Sequence, residues 1–199
     1  MGKRKRTDSK CCPSFDLLTV HSSLDIIAPE KGVAAVKEKR LAWMQLDGRS
    51  GHEAGRQLLA QLYREETGEE CPAILTAERG KPYFSDSPLH FSISHTKNHA
   101  FCVLAPVPVG IDAEEKDRKV NLRLADKILS ESEKRRFDAA PDKQAALLRL
   151  WVLKEAAAKL SGEGLNGYPN HTDFSPADDR ITEIDGCYVA VLKENDNDL

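Results

Sequence analysis

Residues 101–115 read FCVLAPVPVGIDAEE. An apolar run interrupted by Pro106 and Pro108 passes directly into acids. Read as a strand, Val107–Glu114 points Asp112 and Glu114 to one face and Ile111 and Ala113 to the other, because strand side chains alternate. Two carboxylates at that spacing repel and raise each other's pKa unless a cation lies between them. A hard divalent ion such as Mg²⁺, which takes oxygen ligands, would relieve the conflict. The plainer alternative is a strand that ends in solvent with exposed acids. Glu115 reads as a solvated neighbour.

On the amino-terminal side of this stretch, LHFSIS (89–94) and HAFCVLAPV (99–107) read as short strands around the polar loop SHTKN. ILTAERGKPYFSD contains a turn at Arg79–Pro82. HEAGRQLLAQLYREETG (52–68) reads as a helix whose buried stripe is Ala54, Leu58, Leu59 and Leu62, with Gly68 as its stop. EKGVAAVKEKRLAWM (30–44) reads as a second helix, and FDLLTV (15–20) as a first strand.

On the carboxy-terminal side, NLRLADKIL and SESEKRRF read as helices, the latter opened by a capping box of Ser130 and Glu133. Asp142 to Leu160 reads as one long helix that stops before Gly162. The tail reads as a hairpin turning at Asp185-Gly186, with Tyr188, Ala190 and Leu192 on one face. Strands, helices, strands, helices and strands in this order favour α+β over a regularly alternating doubly wound sheet. A seam near residues 105–110 divides the chain into an amino-terminal lobe, 15–105, and a carboxy-terminal lobe, 106–199. Residues 1–14 are expected to form a disordered tail.

The bulk composition fits this. The chain has 199 residues, 40% hydrophobic and 31% charged, as in a soluble globular protein. The net charge of −3 argues against a general attraction to nucleic acid. KRKR at 3–6 reads as a solvated terminus, with a short nucleic-acid or targeting patch as the alternative. No apolar run approaches the ~20 residues of a membrane helix. The five cysteines are Cys11, Cys12, Cys71, Cys102 and Cys187. They show no metal-type spacing beyond the adjacent first two and are expected as free thiols in a reducing cytoplasm.

Three further pieces carry chemistry. In WVLKEAAAK, Trp151, Glu155 and Lys159 are four residues apart and share one helical face. They are either a surface ion pair beside a core tryptophan or a buried carboxylate in need of a partner. Ser94 and His95 end a strand in a loop, where a side chain either reaches a ligand or serves the fold. Arg79 and Lys81 flank Gly80 in an exposed turn or a phosphate clamp. No phosphate-binding P-loop, dinucleotide glycine motif or serine-hydrolase elbow is present in the sequence. Three carboxylates, several cations and a histidine together suit a phosphate-rich ligand.

RGKPYF, FSISHT, GIDAE and WVLKEAAAK, in this order, with GEGL after them, resemble the 4′-phosphopantetheinyl transferases of the long single-chain type related to the surfactin-synthetase activator. The resemblance runs from about Arg79 to Leu165. It implies two similar α+β lobes related by a pseudo-twofold, with coenzyme A in the cleft between them. It implies Mg²⁺-dependent transfer of the phosphopantetheine arm to a serine of an acyl or peptidyl carrier protein, releasing 3′,5′-ADP. By match, Asp112, Glu114 and Glu155 hold the metal and Lys159 faces the phosphates. Ser94, His95, Arg79 and Lys81 contact the nucleotide, and Arg56 falls near a basic position of the family. Glu133 matches the acid that deprotonates the serine. A cytoplasmic monomer with no nucleic-acid or membrane partner is expected. The alternatives are another Mg²⁺-dependent phosphotransfer or pyrophosphate-cleaving enzyme, and a non-enzymatic coenzyme A-binding module.

Overall fold

The computed structural model describes residues 39–164 and 173–194. The strand expected at 15–20, most of the helix expected from Glu30, the residue Leu165 of GEGL and the tail beyond 194 lie outside these residues. Mixed helix and strand content in blocks makes the described chain α+β.

Before Pro106, β1 (Arg40–Gln45), α1 (Gly51–Thr67), β2 (Ile74–Thr76), β3 (Pro82–Phe84), β4 (His90–His95) and β5 (His99–Ala105) follow in order. After it come β6 (Val109–Glu115), a short 3₁₀ turn, α2 (Ala125–Ile128), α3 (Glu131–Ala139), α4 (Lys143–Ser161), β7 (Ile181–Ile184) and β8 (Cys187–Lys193). Each half holds a three-stranded antiparallel sheet, β1-β5-β4 and β6-β8-β7.

Alternation along β5 explains the layering. Ala100, Cys102 and Leu104 pack with Leu58, Leu59 and Leu62 of α1. Phe101, Val103 and Ala105 turn to the other face and meet Val109, Ile111 and Ala113 of β6 and Val189 and Val191 of β8. Tyr188, Ala190 and Leu192 face α4 through Leu150, Leu153 and Ala157. The layers are therefore helix, sheet, sheet, helix. The expected hairpin is present, with Asp185 and Gly186 both at positive φ (43° and 76°), as a tight primed turn requires. Gly68 and Gly162 end their helices in the left-handed conformation.

One expected element is corrected. Arg40–Met44 was assigned to a helix from Glu30, yet it lies in strand β1, paired along its length with β5. Ala42 and Met44 are buried toward α1, while Leu41 and Trp43 pack on the opposite cluster. This two-residue period overrides the helix propensity of the lysine- and alanine-rich run before it. NLRLADKIL is also shorter in helix than expected: a 3₁₀ turn at Leu122–Leu124 precedes the single turn of α2.

Two edge strands meet where the halves join. Ser92 and Ser94 of β4 accept hydrogen bonds from the backbone N–H groups of Ile111 and Ala113 of β6, at 3.1 and 3.2 Å. The serines thus satisfy N–H groups that a neighbouring strand would otherwise take. On its other side β6 lies against α4. A Cβ at Gly110 would stand 2.1 Å from the Ala156 carbonyl oxygen and 2.6 Å from the Leu160 nitrogen. Both are backbone atoms, so neither can swing aside. Gly110→Ala is expected to lower stability by about 3 kcal/mol or more, read as a fall in thermal midpoint. The same contact holds β6, with Asp112 and Glu114, close against α4, which carries Glu155.

Candidate functional site

Beside this close approach lies an open cavity of about 430 Å³ lined by Ile93, Ser94, His95, Asp112, Ala113, Glu114, Arg118, Trp151, Glu155 and Lys159. Both alternations read from the sequence converge here. The pleat of β6 brings the Asp112 and Glu114 side chains to the cavity and sends Ile111 into the core between the sheets, with Ala113 packed in that core at the cavity's edge. The helical repeat of α4 brings Trp151, Glu155 and Lys159 to the same space.

The charges are closely coupled. Lys159 Nζ donates to Asp112 Oδ1 at 2.7 Å and to Ser94 Oγ at 3.1 Å. Ser94 Oγ donates to the same Asp112 oxygen at 2.9 Å. Asp112 is buried, and its second oxygen, Oδ2, has no hydrogen-bond partner among the described residues. Glu114 pairs with the Arg118 guanidinium. Burial pushes the Glu155 carboxyl above the usual carboxylate range, Asp112 pushes it further, and Lys159 and Arg118 act in the opposite direction. An orphaned carboxylate oxygen beside a second carboxylate that burial makes reluctant to ionise marks a place short of positive charge.

Oxygen donors of this kind fit a hard divalent cation. The orphaned Oδ2 and the raised Glu155 support the fit. Among the described residues, however, no three His, Cys, Asp or Glu side chains already form a cluster able to hold an ion. Glu114 is engaged by Arg118, so the acid set is assembled on β6 and α4 but not closed.

His95 is exposed at the cavity edge, at the first residue of α1. A Cβ at Gly51 would stand 2.6 Å from His95 Cγ, so the glycine makes room for the imidazole against the helix start. Arg79, Lys81 and Arg56 do not line the cavity. Arg79 pairs with Glu163 at 3.1 Å, and Lys81 Nζ donates to the Leu160 carbonyl. They hold the negative end of α4, where cations are favourable. Arg56 is half-buried on α1, and its charge acts on Cys71.

Glu133, expected as the proton acceptor, lies away from the cavity. It has no exposed surface. Its Oε1 accepts from Phe174 N at 2.9 Å, and its Oε2 accepts from Ser130 N at 2.8 Å within the expected capping box. Lys154 Nζ lies 2.8 Å from Oε2 and is itself buried. A carboxylate with its oxygens so committed binds α3 to α4 rather than facing an incoming hydroxyl. Glu115 is corrected. Its Oε1 accepts from Thr96 Oγ1 and Asn98 N, at 3.0 and 2.9 Å, tying the β4–β5 loop to the end of β6. The residue missed by the sequence reading is Arg118. Its spacing of four from Glu114 was the available signal.

Residues 108–194 match the model of the 4′-phosphopantetheinyl transferase superfamily. That segment carries all three carboxylates and Lys159. The chain is also similar to three 4′-phosphopantetheinyl transferases. It is 32% identical over 90 residues to 4′-phosphopantetheinyl transferase gsp of Aneurinibacillus migulanus, covering 44% of this chain and 37% of that protein. It is 33% identical over 94 residues to 4′-phosphopantetheinyl transferase psf-1 of Bacillus pumilus, covering 46% and 40%. It is 36% identical over 92 residues to a 4′-phosphopantetheinyl transferase of Bacillus subtilis, covering 45% and 41%. The chain thus spans about two fifths of the length of these relatives. The family read from the sequence motifs and the family of these matches are the same.

Proposed function

We propose that the protein is a 4′-phosphopantetheinyl transferase that moves the arm of coenzyme A onto a serine of an acyl or peptidyl carrier protein and releases 3′,5′-ADP. The observation that carries this reading is the cavity in which Asp112, Glu114, Glu155 and Lys159 meet, inside the segment that matches the family. The two sheet-and-helix halves act as two lobes, 15–105 and 106–199, with coenzyme A in the space between them.

Asp112 and Glu155, joined by Glu114, would hold Mg²⁺. When bound, the ion supplies positive charge against the pyrophosphate of coenzyme A. Lys159, already held by Asp112 and Ser94, presents its ammonium where charge develops on the pyrophosphate oxygens. Ser94 and His95 orient the nucleotide phosphates from the β4 side. The carrier serine oxygen attacks the β-phosphorus, a new P–O bond forms, and the bond to the 3′,5′-ADP oxygen breaks. The serine hydroxyl is a weak nucleophile and requires a base. With Glu133 buried, Glu155 is the carboxylate on α4 placed to take that proton. Arg79 and Lys81 contribute by holding the end of α4. The enzyme works as a cytoplasmic monomer without nucleic acid or membrane, and no described helix is long and apolar enough to cross a bilayer.

Apo carrier proteins from fatty-acid, polyketide and peptide synthesis, each incubated with coenzyme A, Mg²⁺ and the enzyme, test this. At least one carrier is expected to gain about 340 Da, the mass of the arm delivered by phosphoryl transfer. Nucleotide hydrolysis with no gain on any carrier would favour a pyrophosphate-cleaving enzyme instead.

A further inference from the structure

Two of the three cavity carboxylates carry a side-chain cation. Lys159 sits on Asp112, and Arg118 sits on Glu114. The two cations differ in how firmly they are held. Lys159 is shared among Asp112, Ser94 and the carbonyl of Ile93. Among the described residues Arg118 pairs with Glu114, and its side chain is 46% exposed while that of Glu114 is 16% exposed. The backbone of Arg118 is pinned by its N–H to the Glu115 carbonyl at 3.0 Å, in the turn that follows β6. The root of the side chain is fixed and its tip reaches into water.

We propose that Arg118 is an exchangeable counter-cation. A divalent ion entering the cavity takes Glu114 away from the guanidinium, and the released guanidinium remains at the rim to receive a phosphate group of the incoming ligand. The inference rests on the reading of Asp112, Glu114 and Glu155 as metal ligands. Two physical points support it. An ion pair whose guanidinium is half exposed is weakened by solvent, so a divalent ion with two further carboxylates outcompetes it. A guanidinium, once free, offers a planar fork of donors that matches phosphate oxygens. The exchange closes the acid set that is open in the described structure, and it couples metal entry to recognition of the anionic ligand.

Mn²⁺ titration of the intact protein, followed by electron paramagnetic resonance, tests the exchange without any turnover. Arg118→Gln removes the competitor and is expected to tighten Mn²⁺ binding by about two- to fivefold. Arg118→Lys keeps a competing charge and is expected within about twofold of wild type. Lys119→Gln removes the same charge one residue on and is expected to leave Mn²⁺ binding near wild type. In a second titration, at saturating Mn²⁺, inorganic pyrophosphate is expected to bind about tenfold more weakly to Arg118→Gln than to wild type. Equal Mn²⁺ affinity in wild type and Arg118→Gln overturns the exchange while leaving the metal reading in place. Equal tightening in Lys119→Gln overturns it too, since net charge alone would then be responsible. Unchanged pyrophosphate affinity removes the transfer of the guanidinium to phosphate. Absence of Mn²⁺ binding in every variant overturns the metal reading and the exchange with it.

Discussion

Glu155→Gln is expected to separate stability from activity in opposite directions. The Glu155 carboxyl is raised by burial and by Asp112, so its charged form is disfavoured in the fold. Replacing it with an amide of the same shape removes a repulsion and leaves the packing of α4 intact. The thermal midpoint is expected to stay at or slightly above that of wild type. Transfer to a carrier protein is expected to fall by about 100-fold or more, because the proposed metal ligand and proton acceptor are lost together. Turnover near wild type at saturating Mg²⁺ would remove Glu155 from both roles. A folded but inactive protein, checked by thermal unfolding and a carrier-modification assay, is the expected pair of results.

The second large effect lies at the buried Glu133–Lys154 pair. Both side chains are essentially fully buried, and the Lys154 ammonium also lies over the Phe174 ring, 5.9 Å from its centroid. Glu133→Ala removes the carboxylate that pairs with Lys154 and opens the N-terminal cap of α3. A loss of about 3–5 kcal/mol is expected, because a buried ion pair is broken and the cap of α3 is lost with it. For a chain of this size that corresponds to a fall in thermal midpoint of about 10 °C. The double variant Glu133→Leu with Lys154→Met replaces the pair by apolar side chains and is expected to recover most of that loss. It also decides the chemical role of Glu133. Recovery of stability with transfer activity within about tenfold of wild type supports a structural carboxylate. A folded double variant that is about 1,000-fold less active would return Glu133 to the proton-transfer step.

The parts of the site that follow a local period were legible in the sequence. Asp112 and Glu114 are two apart on a strand, and Trp151, Glu155 and Lys159 are four apart on a helix. Each spacing fixes a face without knowledge of the partner. The capping box at Ser130 and Glu133 and the turn at Asp185-Gly186 are local for the same reason. What remained hidden depends on contacts distant in sequence. β1 is a strand because β5, about sixty residues on, offers it a ladder. Arg79 and Lys81 are drawn to the end of α4, residues 84 and 79 positions away. Glu115 is bound by Thr96 and Asn98 rather than by water. The commitment of Glu133 to Lys154 and to the backbone of Phe174 could not be read from SESEKRRF. Apart from β1, each case is a charged side chain that suggested ligand or solvent and has a protein partner supplied by the tertiary fold.

The proposed transfer of the phosphopantetheine arm in this cavity depends on a divalent ion. The most direct measurement is the intact mass of one apo carrier protein after incubation with coenzyme A and the enzyme, in Mg²⁺ and in a chelator of divalent ions. The expected result is a gain of about 340 Da with Mg²⁺ and none with the chelator. Full conversion in the chelator would contradict the role given to Asp112, Glu114 and Glu155, and no conversion across carriers of all three synthetic systems would contradict the transfer itself.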